Sequence, residues 1–330
     1  MVFHGIAPAT AAESAWLAAL AYDEDQELVD LLGEDWRPLG ASDLGLDENW
    51  FDGKGFYEKD DAAGYLAVDA IGERLALVFR GSDSVADLIS VVRDQENHFD
   101  DLRPLIQAAL DYADTNGIAT MLVTGHSLGG AMVQRAAAKM HTFDPGDAPL
   151  EFVMTAFGPP GTDVGNTSPL SRSVLNFTHS GDPATSDRLL SPLTHHGPFV
   201  TIKLPNVEGA DTLGDLARQK EAQDDDPSII TEHDMPRYLW SLQAIAASDL
   251  LAHANDKTIY VVLDQADGSA SDDAYSVRER RQMVLGLDGD DTLTGSKRRD
   301  LLDGGEGDDW LSGGADDEMT CSLVDQAMIA

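Results

Sequence analysis

Residues 119–131 read ATMLVTGHSLGGA. An apolar run leads into Gly125-His126-Ser127-Leu128-Gly129, and a helical pattern follows. This is G-x-S-x-G in the strand–turn–helix setting that gives the motif its chemistry. A serine on so sharp a turn exposes Oγ above the sheet, and Gly125 and Gly129 remove the side chains that would clash there. The helix N-terminus behind the turn offers N–H groups and a positive dipole end to a developing oxyanion. Ser127 is therefore the candidate nucleophile, and the N–H of Leu128 a candidate oxyanion donor.

Around this centre, short apolar strands are predicted at 65–69, 74–80, 151–157, 173–179 and 199–204. Helical patterns stand at 102–116, 130–141 and 236–254. Strands alternating with helices argue for an α/β fold with a mostly parallel sheet covered on both faces. In the α/β-hydrolase chain order the acid follows the nucleophile and the histidine comes last. The strand at 173–179 ends in Ser180-Gly181-Asp182-Pro183, which makes Asp182 the candidate acid and Asp187 the fallback. Of the histidines beyond it, His195 and His196 precede the next strand, and His253 lies at the far end of the last helix. His233, just before that helix, is the candidate base. The strand at 75–79 runs into Arg80-Gly81-Ser82, so the N–H of Ser82 is the second candidate oxyanion donor. Residues 85–101 carry an apolar side (Val85, Leu88, Ile89, Val92) and a polar end, and read equally well as an amphipathic lid or as an ordinary core helix.

These motifs together carry a family likeness. FRGSDS at 79–84, GHSLGG at 125–130, FGPPGTDVGN at 157–166, HSGDPATSD at 179–187 and EHDMPRYL at 232–239 stand in the order and spacing of a class 3 (fungal-type) lipase domain. Residues of roughly 10–255 resemble that family; it usually has Thr where Ser82 stands, and the hydroxyl is kept. The resemblance implies a Ser127–His233–Asp182 mechanism on ester or acylglycerol substrates at a lipid–water interface, with no cofactor for the chemistry. Phospholipase A1 or another esterase is the alternative reading.

The C-terminal texture is different. Read in nines from Gly286, the chain gives GLDGDDTLT, GSKRRDLLD, GGEGDDWLS and the fading GGADDEMTC. The template is the nonapeptide G-G-x-G-x-D-x-U-x of a parallel β-roll. Glycines permit the tight turns, and carboxylates with turn carbonyls form the all-oxygen shell that Ca²⁺ takes. Asp291, Asp300 and Asp309 hold the sixth position and are the candidate calcium ligands, with Glu318 last in the series. Leu293, Leu302 and Leu311 hold the eighth and should stack into a thin core. Lys297-Arg298-Arg299 departs from the template in the second repeat. Residues 286–318 resemble the RTX calcium-binding repeats. That resemblance implies structural Ca²⁺, type I secretion machinery as a partner, and an extracellular destination reached without a cleaved N-terminal signal peptide.

Composition supports this division. The 330 residues hold 22 Lys and Arg against 59 Asp and Glu, a net charge of −37. Such a charge repels phosphate backbones, so nucleic-acid binding is not expected. No run of about 18 apolar residues exists to form a transmembrane span. With Cys321 as the one cysteine, an intramolecular disulfide cannot form. The expected organisation is a hydrolase domain at 1–264, a linker at 265–285, repeats at 286–318, and a tail at 319–330 compatible with a secretion signal. On that division a chain ending near Asp264 should keep residual activity. A rival reading, a non-catalytic calcium-binding surface protein, conflicts with the complete Ser–Asp–His set.

Overall fold

A computed structural model describes residues 3–23, 25–82, 94–165, 168–185, 193–204, 233–263, 271–278, 281–313, 320–322 and 328–329. The helices are α1 (Pro8–Leu20), α2 (Leu28–Leu32), α3 (Ala41–Leu44), α4 (Gln95–Asn116), α5 (Leu128–Lys139) and α6 (Met235–Ala247). The strands of the first part are β1 (Trp36–Pro38), β2 (Tyr57–Lys59), β3 (Ala62–Asp69), β4 (Arg74–Phe79), β5 (Thr120–His126), β6 (Glu151–Phe157), β7 (Leu175–His179), β8 (Phe199–Lys203) and β9 (Ile259–Val262). There follow β10 (Ala274–Ser276), β11 (Gln282–Asp288), β12 (Thr292–Thr294), β13 (Leu301–Glu306), β14 (Trp310–Ser312), β15 (Thr320–Ser322) and β16 (Met328–Ile329). Among the described residues no helix is long and apolar enough to cross a membrane.

One sheet runs in the order β1-β3-β4-β5-β6-β7-β8-β9-β11-β13-β15, with β2 paired to β3 at its start. The pairs β1–β3, β2–β3 and β3–β4 are antiparallel, and every pair from β4 onward is parallel. The strand period of two sorts the apolar residues onto the two faces. On β4, Leu75, Leu77 and Phe79 join the core beneath α4 and α5, whereas Ala76 and Val78 face the other way toward Leu17 of α1 and Leu28 of α2. This is the expected α/β-hydrolase arrangement. The last long helix is shorter than the expected 236–254, because the chain breaks at Ser248 into a 3₁₀ turn over Asp249–His253 whose first free N–H is capped by Ser248 Oγ.

The segment expected to be a linker needs correction. Its described residues contain β10 and the start of β11, and β11 lies parallel to β9 in the main sheet. Strands β10-β12-β14-β16 form a second parallel sheet, so the chain winds between the two sheets as a β-roll. Leu293, Leu302 and Leu311 are fully buried between them, as the eighth-position pattern predicts. They pack with Val261 of β9 and Leu263 just after it, while Met283, Leu285 and Leu301 of the roll enter the core that holds Phe3, Tyr238 and Tyr260. The two parts thus share one sheet and exchange core residues across the seam.

Candidate active site and calcium edge

Ser127 sits between β5 and α5 with φ 55° and ψ −123°, a conformation that L residues rarely adopt. Its N–H donates to the Phe157 carbonyl at 2.9 Å, which fixes the turn to the end of β6. The flanking glycines are required by space. A side chain on Gly125 would fall 2.6 Å from the Gly129 backbone, and one on Gly129 would fall 2.2 Å from the Phe79 carbonyl oxygen. Leu128 opens α5, so its N–H is among the unpaired donors of a helix start. Ser82 lies just past β4, and its neighbour Gly81 packs against the elbow, with room for no side chain beside Ser127 Cβ and the Tyr22 hydroxyl.

Three sequence-distant side chains meet here. His233 Nε2 lies 2.8 Å from Ser127 Oγ, and His233 Nδ1 lies 3.0 and 3.1 Å from the two Asp182 oxygens. Asp182 is buried, and every bond it accepts is directional: Ala184 N–H at 2.8 Å and Tyr238 O–H at 2.6 Å complete its shell. Burial alone would push its carboxyl upward. The His233 ring and the bonds from His233, Tyr238 and Ala184 outweigh that and hold it below the usual carboxylate range. A carboxylate on Nδ1 puts the single ring proton there and leaves Nε2 free to accept from Ser127.

A second layer was not foreseen. Tyr238, on the first turn of α6, also accepts the His179 N–H at 3.0 Å and stacks on the His179 ring at 4.0 Å, so it bolts Asp182 to the end of β7. His126, inside the elbow motif, is a backbone-bonding residue rather than a base. Its Nε2 lies 2.5 Å from the His233 carbonyl and its Nδ1 lies 2.8 Å from Tyr22 O–H. With Nε2 donating and Nδ1 accepting, the ring is neutral; burial first, then the nearby His233 charge, lowers its pKa to about 3. Gly158 has φ 52°, and a side chain there would strike Asp182 Oδ2, His233 Nδ1 and the Tyr238 hydroxyl. The glycine after β6 in FGPPG was the available signal for it.

The other histidines beyond Asp182 lie elsewhere. His196 is buried with Nε2 2.6 Å from the Val164 carbonyl, and His195 packs edge-on against Phe199. His253 ends the 3₁₀ turn after α6. Of the segment read as lid or core helix, 83–93 lies outside the described residues, as does Asp187. Residues from Gln95 onward form the first turns of α4, where fully buried Arg135 from α5 binds both Glu96 and Asp163.

The candidate calcium ligands divide between two edges of the roll. Turns after β11 and β13 lie at the carboxyl end of the main sheet, the same end as Ser127 and Asp182. There Asp291 Oδ1 accepts from Asp273 N–H at 2.8 Å, and Asp309 Oδ1 accepts from Asp291 N–H at 2.9 Å, each across 18 residues. Asp300 sits at the opposite end, where Oδ1 takes the Gln282 N–H and Oδ2 takes both the N–H and the hydroxyl of Ser296. Glu318 lies outside the described residues. Among the described residues no group of three or more His, Cys, Asp or Glu side chains is arranged around a metal. A cation in this roll would lean on backbone carbonyls as well. The acidic edge fits that need: the place a Gly286 side chain would fill is lined by Asp291 Oδ2 at 2.0 Å and the Gly304 carbonyl at 2.3 Å. Burial, then the charges of Asp290 and Asp308, push the Asp309 carboxyl above its usual range despite the bond from Asp291.

Residues 285–317 match the model of the RTX calcium-binding nonapeptide repeat, four copies. The extracellular lipase LipA from Serratia marcescens superposes with a TM-score of 0.54 at 16% identity, covering 84% of this chain and 54% of that one. The chain thus shares the α/β-hydrolase fold of that protein, and its C-terminal roll is built of RTX repeats. The chain spans about half the length of the Serratia protein, at 54%. Lip2 lipase from Yarrowia lipolytica (TM-score 0.41, 18% identity, 61% of this chain and 80% of that one) is also similar. So is the triacylglyceride lipase of Rhizomucor miehei (0.43, 16%, 58% and 79%). No curated protein matches by sequence. The RTX match starts at 285, whereas the roll it belongs to begins with β10, one winding earlier.

Proposed function

We propose that the protein is a secreted serine ester hydrolase of the lipase kind, stabilised by calcium in its RTX roll. One observation carries the reading: an unbroken hydrogen-bonded line from Asp182 through His233 to Ser127, with Ser127 on a strained turn at a helix N-terminus. Ser127 Oγ attacks the ester carbonyl while His233 Nε2 takes its proton. The Leu128 N–H and, from the β4 side, the Ser82 N–H stabilise the oxyanion. His233 then protonates the departing alkoxide, leaving an acyl-enzyme that water cleaves through the same base. Asp182 keeps the imidazole in the working tautomer and steadies its positive charge. Acylglycerols are the first substrate class, because the Serratia protein of the same fold is described as an extracellular lipase. Phospholipids and simpler esters are the other arms of the same assay. Calcium, when bound, neutralises and orders the roll and supplies no group to this chemistry; the RTX repeats also support export as the route to an extracellular destination.

The test is covalent labelling by a fluorophosphonate together with turnover of p-nitrophenyl esters of graded chain length. Ser127→Ala should abolish labelling and lower turnover by about 10³-fold or more. Labelling that persists in the variant moves the nucleophile to another serine.

A further inference from the structure

A cavity of about 700 Å³ lies at the end of the main sheet away from Ser127. One face of α1, the strand β1, the turn between β3 and β4, and Gln243 of α6 frame it. On α1 the lining residues Ala9, Ala12, Glu13 and Trp16 stand at i, i+3, i+4 and i+7, the spacing of a single helix face. Ala11, Ala15 and Ala18 of the same helix go into the core instead. Asp69 closes β3 and Arg74 opens β4, so the cavity sits at the amino ends of the parallel strands. Ser82 and Ser127 follow the carboxyl ends of β4 and β5. At about 3.3 Å per residue, the six residues of β4 alone put roughly 20 Å between the two places.

Two properties of the wall select a ligand. The first is aromatic. Trp36 and Trp16 both line the cavity, and the Trp36 ring already holds a cation, the Arg74 guanidinium 5.1 Å from its centroid. Trp16 is half-buried and has no cation or second ring against it among the described residues. The second property is charge. Glu13, Asp35 and Asp69 line the cavity against Arg74 alone, three carboxylates to one guanidinium, a formal excess of −2. Arg74 is fully engaged: it donates to Glu13 at 2.7 and 3.1 Å and to Asp69 at 3.0 Å. Asp35 is exposed and has no cationic partner among the described residues. Ile71 on the β3–β4 turn is 75% exposed and adds apolar surface. A fatty acid or a phosphate is repelled by this wall and finds its one guanidinium taken. A ligand with fixed positive charge on an apolar body meets both properties, its charge facing Asp35 and the Trp16 ring.

We infer that this cavity binds a small organic cation of the quaternary-ammonium class, free in solution, with Trp16 and Asp35 as its main contacts. Trp36 and Arg74 form the same pairing inside the protein, already filled. The inference involves neither Ser127 nor the roll and stands whatever the chemistry of the triad.

The test is calorimetric titration of the full chain with benzyltrimethylammonium. Ionic strength is held constant, so that the diffuse attraction of a chain with net charge −37 is screened equally throughout. One saturable site with a dissociation constant of about 1 mM or below is expected. Choline should bind, and its uncharged carbon isostere neohexanol should bind at least about tenfold more weakly. Phosphocholine carries a phosphate on the same ammonium and should also be weaker by about tenfold or more, which separates a free cation from a lipid headgroup. Trp16→Leu and Asp35→Asn should each weaken binding by about fivefold or more, and Ser127→Ala should leave it within about twofold. Asp35 is exposed, so its variant keeps the fold and decides the matter if Trp16→Leu does not fold. A titration without saturation, neohexanol or phosphocholine binding as tightly as choline, unchanged affinity in Asp35→Asn, or a site lost in Ser127→Ala overturns the assignment.

Discussion

Asp182 and Asp309 are both buried carboxylates at the same end of one continuous sheet, yet they are built on opposite terms. Asp182 accepts from His233, Tyr238 and Ala184, and its carboxyl is held below the usual range. Asp309 accepts from Asp291 on one oxygen, finds no donor for the other among the described residues, and is pushed above the usual range. The part that holds Asp182 answers its charge with protein donors, so its geometry is complete when the chain folds. The roll leaves part of its charge to be answered from solution. A buried charge without a partner costs several kcal/mol, so a bound cation should stabilise the roll.

The sharpest way to break the comparison is on the self-sufficient side. Asp182→Asn keeps the shape of the side chain and removes the charge that selects the imidazole tautomer. Ester turnover should drop by up to roughly 10⁴-fold, with the far-ultraviolet circular dichroism unchanged. If turnover persists within tenfold, Asp182 is not the orienting acid.

A chain ending at residue 264 tests where the two regions separate. The sequence suggested that such a chain would stand alone. It would expose the β9 edge that β11 covers, and it would strip Met283, Leu285 and Leu301 from the core around Tyr260. Loss of three buried large apolar side chains costs about 2–5 kcal/mol each when taken singly. Expression should give aggregated protein, and a chain cut at 264 that is monomeric with full activity would show that the seam is dispensable. Milder separation comes from EGTA on the full chain, which should lower the melting temperature of the roll and leave the triad distances to the protein's own donors.

What the sequence made legible follows from where the signal lies. The elbow, the strand ends carrying Asp182, and the repeat leucines are local patterns, each set within a few residues, and each was found. The seam was not found, because β11 is preceded by Arg278-Glu279-Arg280-Arg281 and reads as a polar connector. Only its pairing with β9, some 20 residues earlier, gives it a place in the sheet. Tyr22 and Tyr238 were missed for the same reason: they reach His126 and Asp182 across 104 and 56 residues, and nothing beside them in the chain announces it.

Acid should separate the regions by a different route. Neutral His126 braces the His233 backbone, and its pKa of about 3 lies far below the ordinary value of 6.5. A depressed histidine pKa contributes stability that is complete above pH 6.5 and is lost as pH falls toward 3. The unfolded chain takes up the proton in that window and the folded one does not. The expected slope is about 1.4 kcal/mol per pH unit from this one group. Urea unfolding followed from pH 7 to pH 4 should show it, and His126→Gln should flatten it. An identical slope in that variant would assign the acid sensitivity to carboxylates elsewhere.

The smallest expected effect asks whether the shell of Asp182 is as complete as the contrast with Asp309 requires. Tyr238→Phe removes one donor from Asp182 Oδ2 and the acceptor of the His179 N–H, while the ring keeps its stacking on His179. The carboxylate retains His233 and Ala184, so the triad line stays intact and the loss is one charge-assisted bond. That is worth about 1.5 kcal/mol or somewhat more, equal to roughly tenfold if it is expressed entirely in turnover. Because Tyr238 touches neither substrate nor Ser127, the change should fall on kcat with KM unaltered. The acidic limb of the pH–rate profile should also shift upward, since a carboxylate missing one donor is more basic and stabilises the His233 imidazolium more strongly. A profile that does not move, with kcat reduced, would mean that Tyr238 steadies the β7 end through His179 alone, and that Asp182 needs no more than two donors to orient His233.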